Sequence, residues 1–140
     1  MYTLARRFSF ESAHRLANGY VGKCSNIHGH SFQGELVVSC DVLDACGIGI
    51  DYSELKRFIK LIEAELDHTL LLYQADFAII ELCKQTKMEY KTFNKNPTSE
   101  TIAQYIFQEA TRYFGEKFPD ITVSEVSIAE TCTCKCTYKA

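Results

Sequence analysis

No stretch of the 140 residues is apolar for the length of a membrane span, so a membrane partner is not expected. Charge of one sign is also missing. Lys and Arg number 15 against 18 Asp and Glu, a net charge of −3, which argues against a nucleic-acid partner. Met1 to Arg7 leads into no long apolar stretch, so no signal peptide is expected. An odd count of seven cysteines without a secretory signal reads as reduced thiols in a cytoplasmic protein. Proline occurs only twice, and neither Pro97 nor Pro119 precedes a cysteine, which excludes the Pro-Cys-x-x-Cys signature of zinc deaminases. Internal repeats, low-complexity segments and linkers are absent too. What remains is an ordinary globular composition, 46% hydrophobic and 24% charged, over a length that suits one domain spanning residues 1–140. A chain of this size buries about two-thirds of its unfolded surface and needs no staple to fold. Histidine is scarce as well, with four in all, yet three of them fall between residues 14 and 30.

Leu4 to Leu16 alternates, with Leu4, Phe8, Phe10 and Leu16 on one parity and Arg7, Glu11 and Arg15 on the other, which predicts a strand with one buried face. Asn18 to Gly22 supplies turn chemistry, and a second strand is predicted from about Gly29 to Val42. Asp51-Tyr52-Ser53-Glu54 has the form of a helix start, and Leu55, Phe58, Ile59, Ile62 and Leu66 form one helical stripe ending near Asp67. Residues 69–96 carry little pattern beyond a short helix at 76–85 and an extended, exposed stretch at 88–93. Thr98 or Ser99 caps a second long helix, closed by Phe118-Pro119-Asp120, and strands fit 121–131 and 134–138. The expected fold is α+β, a four-stranded antiparallel sheet with two helices on one face.

His28-Gly29-His30 is the sharpest local signal, because residues two apart in an extended chain project to one face and can reach one ion. His14 ends the first strand and meets that pair if the first two strands form a hairpin. Three neutral imidazoles with a fourth position open describe a catalytic zinc site. Cys24, four residues before His28, reads as a fourth ligand, a nucleophile or base beside the metal, or a buried thiol. Asp67-His68 follows the first long helix and is either solvated surface or a proton-sharing pair. Glu130 shares parity with Val126 and Ile128, so it is a rim residue or a buried anchor for a planar heterocycle edge. Cys132, Cys134 and Cys136 read as small packing residues rather than ligands.

Together these residues resemble the pyruvoyl-tetrahydropterin synthase family, and within it the 6-carboxy-tetrahydropterin branch of queuosine biosynthesis. The resemblance is carried by Phe10 to Leu16, Cys24 to Phe32, Asp51 to Lys56, Leu66 to His68, Asn96 to Glu100 and Glu130 to Thr133. The three residues between Cys24 and His28 are similar to the carboxy branch; residues 71–95 depart from the family's pattern. The resemblance implies a tunnelling fold assembled as a homo-oligomer, a hexamer of two stacked trimers, with active sites between subunits. It implies that His14, His28 and His30 bind Zn2+, that Cys24 is the proton-abstracting base, and that Asp67 and His68 form the partner relay. It further implies that Glu130 anchors a pterin ring, with Thr98 and Ser99 beside it. The implied substrate is 7,8-dihydroneopterin triphosphate, converted to 6-carboxy-tetrahydropterin with release of acetaldehyde and triphosphate. A pyruvoyl product, or a pterin-binding subunit without catalysis, is the alternative. Arg15 and Lys23 are candidate triphosphate contacts, or ordinary solvated charges.

Overall fold

Strand β1 (Tyr2–His14) and strand β2 (His28–Cys40) form one long antiparallel ladder, from Tyr2 opposite Cys40 to His14 opposite His28. The computed structural model describes residues 1–140. Even-numbered residues of both strands face inward, so Phe8, Phe10, Phe32, Leu36 and Val38 are buried while Arg7, Glu11 and Gln33 are exposed. Phe10 and Phe32 sit directly opposite each other with stacked rings 5.0 Å apart. Phe8 lies over Gly34, whose missing side chain leaves room for the ring.

Strand β5 (Thr122–Thr131) pairs antiparallel with β2, and β6 (Cys134–Tyr138) pairs antiparallel with β5. Helix α1 (Tyr52–Leu66) starts where the Asp51 carboxylate accepts from the Ser53 amide, and its predicted stripe is buried. Helix α3 (Ser99–Lys117) is capped by Thr98, whose hydroxyl accepts from the Thr101 amide. Its stripe of Ile102, Ala103, Ile106, Ala110 and Phe114 meets the inward face of the sheet in one cluster with that of α1.

The sheet is not four-stranded and not wholly antiparallel. Two further strands, β3 (Thr69–Tyr73) and β4 (Tyr90–Phe93), extend it beyond β1 in parallel, giving the order β4-β3-β1-β2-β5-β6. A third helix, α2 (Phe77–Thr86), connects them. The reason β3 carries no alternation is burial on both faces. Leu71 lies level with His14 and joins the main cluster, whereas Leu72 points the other way and is equally buried. Parallel strands covered on both sides read as continuous apolar runs. Cys83 of α2 is likewise buried outside the main cluster, so α2 covers the far side of this arm rather than joining the other two helices. The stretch predicted to be extended and exposed is extended, but Phe93 is buried and Tyr90 and Lys91 are half-buried. No helix is long and apolar enough to cross a membrane.

The Phe8–Gly34 contact makes a direct test of the ladder. A Cβ at residue 34 would overlap the buried Phe8 ring, so Gly34→Ala is expected to destabilise the fold by about 1–3 kcal/mol, read as a lower urea midpoint.

Candidate active site

The register of β1 and β2 brings three of the four histidines together. His14 and His28 are cross-strand partners, and His30 is two residues along the same face, opposite Ser12. One ring nitrogen of each lies within 4.8 Å of the others. His14 is 2% exposed and the other two are half-buried.

Hydrogen bonds from the far side of two rings decide which nitrogen carries the lone pair. His14 Nδ1 lies 2.7 Å from the Pro97 carbonyl, and His28 Nδ1 lies 2.7 Å from the Asn26 carbonyl. A carbonyl only accepts, so each Nδ1 is the N–H donor and each Nε2 is left with its lone pair. Those two Nε2 atoms face each other at 3.1 Å. His30 Nε2 is buried without a hydrogen-bond partner. Burial pushes the His14 imidazole below its usual range, against smaller opposing effects of the Pro97 carbonyl and the Glu130 carboxylate, so the ring is held neutral. Converging lone pairs repel one another unless a cation sits between them. Tetrahedral Zn2+ with nitrogen ligands at about 2.0–2.1 Å holds those nitrogens roughly 3.3 Å apart, close to the 3.1 Å between His14 and His28, with the His30 nitrogen within 4.8 Å of both. The donor set therefore fits zinc with one position left for another ligand.

Glu130 belongs to the same group. Its Oε2 is 4.0 Å from His30 Nε2, and it is half-buried. It falls where the β5–β6 pairing shifts register between Ala129 and Thr131, and such a bulge turns a side chain away from the regular ladder.

Cys24 is half-buried on a single 3-10 turn, Lys23–Ser25, and its carbonyl accepts from the Leu16 amide at 2.8 Å just past the end of β1. Lys23 beside it is exposed. Thr98 and Ser99 are half-buried at the start of α3, next to the Pro97 carbonyl that holds His14. Arg15 is directed to the buried Asp76 carboxylate, with Nε 2.8 Å from Oδ2, so one edge of its guanidinium is already engaged.

Asp67 and His68 lie elsewhere. His68 takes a left-handed backbone conformation, φ 56°, at the end of α1, and its amide donates to the Glu11 carbonyl at 2.6 Å. Asp67 Oδ1 accepts from the Glu11 amide at 2.8 Å while Oδ2 lies 2.8 Å from His68 Nδ1. The Glu11 amide, with the His68 ring second, pulls the Asp67 carboxyl below its ordinary range. His68 opens into a cleft of about 670 Å3 lined also by Glu11, Ser31, Met88 and Glu89, and bordered by His30 of the trio. Glu11 and Ser31 belong to the sheet face opposite the histidine trio, and no hydrogen bond or ion pair joins Asp67 or His68 to the trio within one chain.

The tail cysteines do not pack as small hydrophobes. Cys132 and Cys134 are exposed at the β5–β6 turn and Cys136 is half-buried on the edge strand, so the position at the sheet margin overrides their apolar character. They form no ligand cluster. Asn96 and Pro97, to which the sequence assigns no role, support the site. Both side-chain ends of Asn96 bond the Ala17 backbone, at 2.8 and 2.9 Å, and Pro97 orients His14. Their signal is the Asn96 to Glu100 stretch, which carries part of the family resemblance but assigns no role to either residue.

Residues 3–140 match the 6-pyruvoyl tetrahydropterin synthase family. A 6-carboxy-5,6,7,8-tetrahydropterin synthase of Rickettsia felis is 32% identical over 140 residues, covering 96% of this chain and 97% of that protein. One from Synechocystis is 33% identical over 143 residues, covering 99% and 93%. Among solved structures, the 6-pyruvoyl tetrahydropterin synthase of Caenorhabditis elegans superposes with a TM-score of 0.74 at 27% identity, covering 99% of this chain and 95% of that one. An uncharacterized protein of Wolinella succinogenes shares the fold with a TM-score of 0.82 at 18% identity, covering 99% and 97%.

The His14 environment sets a pH dependence. Its pKa is lower folded than unfolded, so the unfolded chain takes the proton first. Chelator-stripped protein is therefore expected to hold full stability above about pH 6.5 and to lose it progressively as pH falls, seen as a falling urea midpoint. Added Zn2+ is expected to raise the thermal midpoint of the parent at neutral pH and to leave that of His28→Ala nearly unmoved.

Proposed function

The chain belongs to the 6-pyruvoyl tetrahydropterin synthase family, and from that membership we propose that it is a zinc-dependent lyase of the 6-carboxy branch. It converts 7,8-dihydroneopterin triphosphate to 6-carboxy-tetrahydropterin, releasing acetaldehyde and triphosphate, a step toward queuosine. The observation that carries this reading is the trio of imidazole lone pairs beside the half-buried Glu130 carboxylate.

His14, His28 and His30 would hold the zinc ion, which supplies a positive charge that acidifies the substrate's side-chain hydroxyls. Glu130 receives the N–H edge of the pterin through paired charge-assisted hydrogen bonds, next to Thr98 and Ser99. Cys24, as the thiolate, takes the carbon-bound proton. Asp67 is held as a carboxylate by the Glu11 amide and fixes His68 by its Nδ1, which leaves His68 Nε2 to return a proton. Lys23 is the freer of the two candidate triphosphate contacts, since Arg15 is engaged with Asp76.

The Asp67–His68 pair is tied to Glu11, on the opposite parity of β1 from His14, and makes no hydrogen bond to the trio. This placement supports a homo-oligomer, read as a hexamer of two trimers, in which one copy's pair completes its neighbour's site.

Incubation of the zinc-loaded protein with dihydroneopterin triphosphate is expected to yield acetaldehyde; a pyruvoyl product without acetaldehyde would place the chain in the other branch of its family. Cys24→Ala is expected to cut turnover by about 100-fold or more while keeping its zinc, and retained turnover would refute the assignment of the base. Sites shared between copies predict complementation. Subunits of inactive Cys24→Ala and inactive His68→Ala, dissociated and reassembled together, should regain about a quarter of parental activity, because random pairing restores that share of sites. No recovery would place the whole site in one chain.

A further inference from the structure

Residues 16–26, which carry Cys24, form a loop that is stiff within itself and hydrogen-bonded to the body of the fold through one side chain. Inside the loop, the Ser25 amide and Ser25 Oγ both donate to the Gly22 carbonyl, at 3.1 and 2.7 Å. Asn26 donates to the Lys23 carbonyl from its amide and from Nδ2, each at 3.1 Å. The Leu16 amide donates to the Cys24 carbonyl at 2.8 Å, which ties the turn bearing the thiol to the foot of the loop. What these bonds leave open is where the loop stands relative to the histidines. Ala17 decides it. Asn96, 79 positions away, accepts from the Ala17 amide through Oδ1 at 2.8 Å and donates to the Ala17 carbonyl through Nδ2 at 2.9 Å. Of the hydrogen bonds made by residues 16–26, only this pair reaches beyond the loop and strand β2. The far end is fixed as well. The Asn96 carbonyl accepts from the Thr98 amide at 2.8 Å, and the Pro97 carbonyl between them holds His14 Nδ1 at 2.7 Å. One tight turn therefore grips the Cys24 loop with its first residue and a ring of the histidine trio with its second.

We propose that Asn96 is a positioning residue for Cys24: by clamping both backbone groups of Ala17, it sets the separation between the Cys24 loop and the His14 ring. The proposal rests on the reading of Cys24 as the base. A base must stand at one fixed distance from a substrate held beside the three imidazoles, because a small misplacement of a reacting group costs a large factor in rate. Asparagine suits the place because its amide presents a donor and an acceptor side by side, matched to the carbonyl and amide of one residue. An aspartate would turn an acceptor toward the Ala17 carbonyl, and an alanine would leave both groups without this partner.

Asn96→Ala and Asn96→Asp are compared with the parent as full, zinc-loaded chains. Hydrogen exchange read by mass spectrometry is expected to be faster by about tenfold or more in the 16–26 peptide, and unchanged in peptides from the β1–β2 ladder. With dihydroneopterin triphosphate, kcat is expected to fall about tenfold, with KM within about twofold of the parent and zinc content unchanged. A cycle with Cys24→Ala separates positioning from general damage: once the thiol is gone, Asn96→Ala should lower the residual turnover no further. An equal fall in both backgrounds, or loop exchange identical to the parent's, would overturn the proposal. Should Asn96→Ala fail to fold, Asn96→Asp, which keeps the acceptor for the Ala17 amide, carries the same measurements. Exchange needs no turnover, so a parent inactive on pterin would sink the proposed function and leave the Asn96 clamp decided by exchange alone.

Discussion

Everything in the candidate site depends on the register of one antiparallel ladder. Side chains alternate between faces with a period of two, so a slip of one residue between β1 and β2 would turn facing residues out of step. His14 would then no longer meet His28, and the trio would be dispersed. The interactions that hold the register are apolar and lie further along the same strands. Phe10 against Phe32 and Phe8 over Gly34 give each strand one way to fit the other. Full burial of such a side chain contributes about 1.5–3 kcal/mol, while an unsatisfied buried polar group costs about 1–3 kcal/mol. Several aromatic and aliphatic burials therefore outweigh the few imidazole nitrogens left without partners. The core therefore imposes the arrangement of the three imidazoles, and their convergence follows from the packing of the strands that carry them.

That division between scaffold and site explains how much could be read from the sequence. Alternation in β1 and β2 and the helical stripes of α1 and α3 are visible because each of these elements has one wet face and one dry face. His14, His28 and His30 follow from the same parity. Strand β3 is hidden for the opposite reason: Leu71 and Leu72 are both fully buried, and a segment with no wet face has no period to detect; β4 is legible as an extended stretch but not as a partner of the sheet. Missing them turned a mixed six-stranded sheet into an expected four-stranded antiparallel one. The position of Asp67 and His68 was also illegible. A residue at φ 56° after a helix belongs to no periodic pattern, so nothing in the spacing says which face of the sheet it will address. Arg15 looked like a free cation because its partner Asp76 is 61 residues away and sits in the unreadable stretch.

The short segment Asn96-Pro97-Thr98 binds these separate parts into one device. Asn96 pairs with the backbone of Ala17 at both ends of its amide and so anchors the loop that carries Cys24. The Pro97 carbonyl takes the His14 Nδ1 proton and so aims Nε2 at its neighbours. Thr98 caps α3, fixing the helix start just beyond the carbonyl that holds His14. Proline is well matched to the middle position, because a residue with no amide proton has only its carbonyl to offer and its ring restricts the backbone that aims it. Orientation of a ligating imidazole by a backbone carbonyl is also harder to lose than orientation by a side chain, since substitution at the position leaves the carbonyl in place. Any displacement of these three residues would therefore shift the thiol loop, one ligand ring and the mouth of α3 together. The ladder sets where the histidines stand; this segment sets where their lone pairs point.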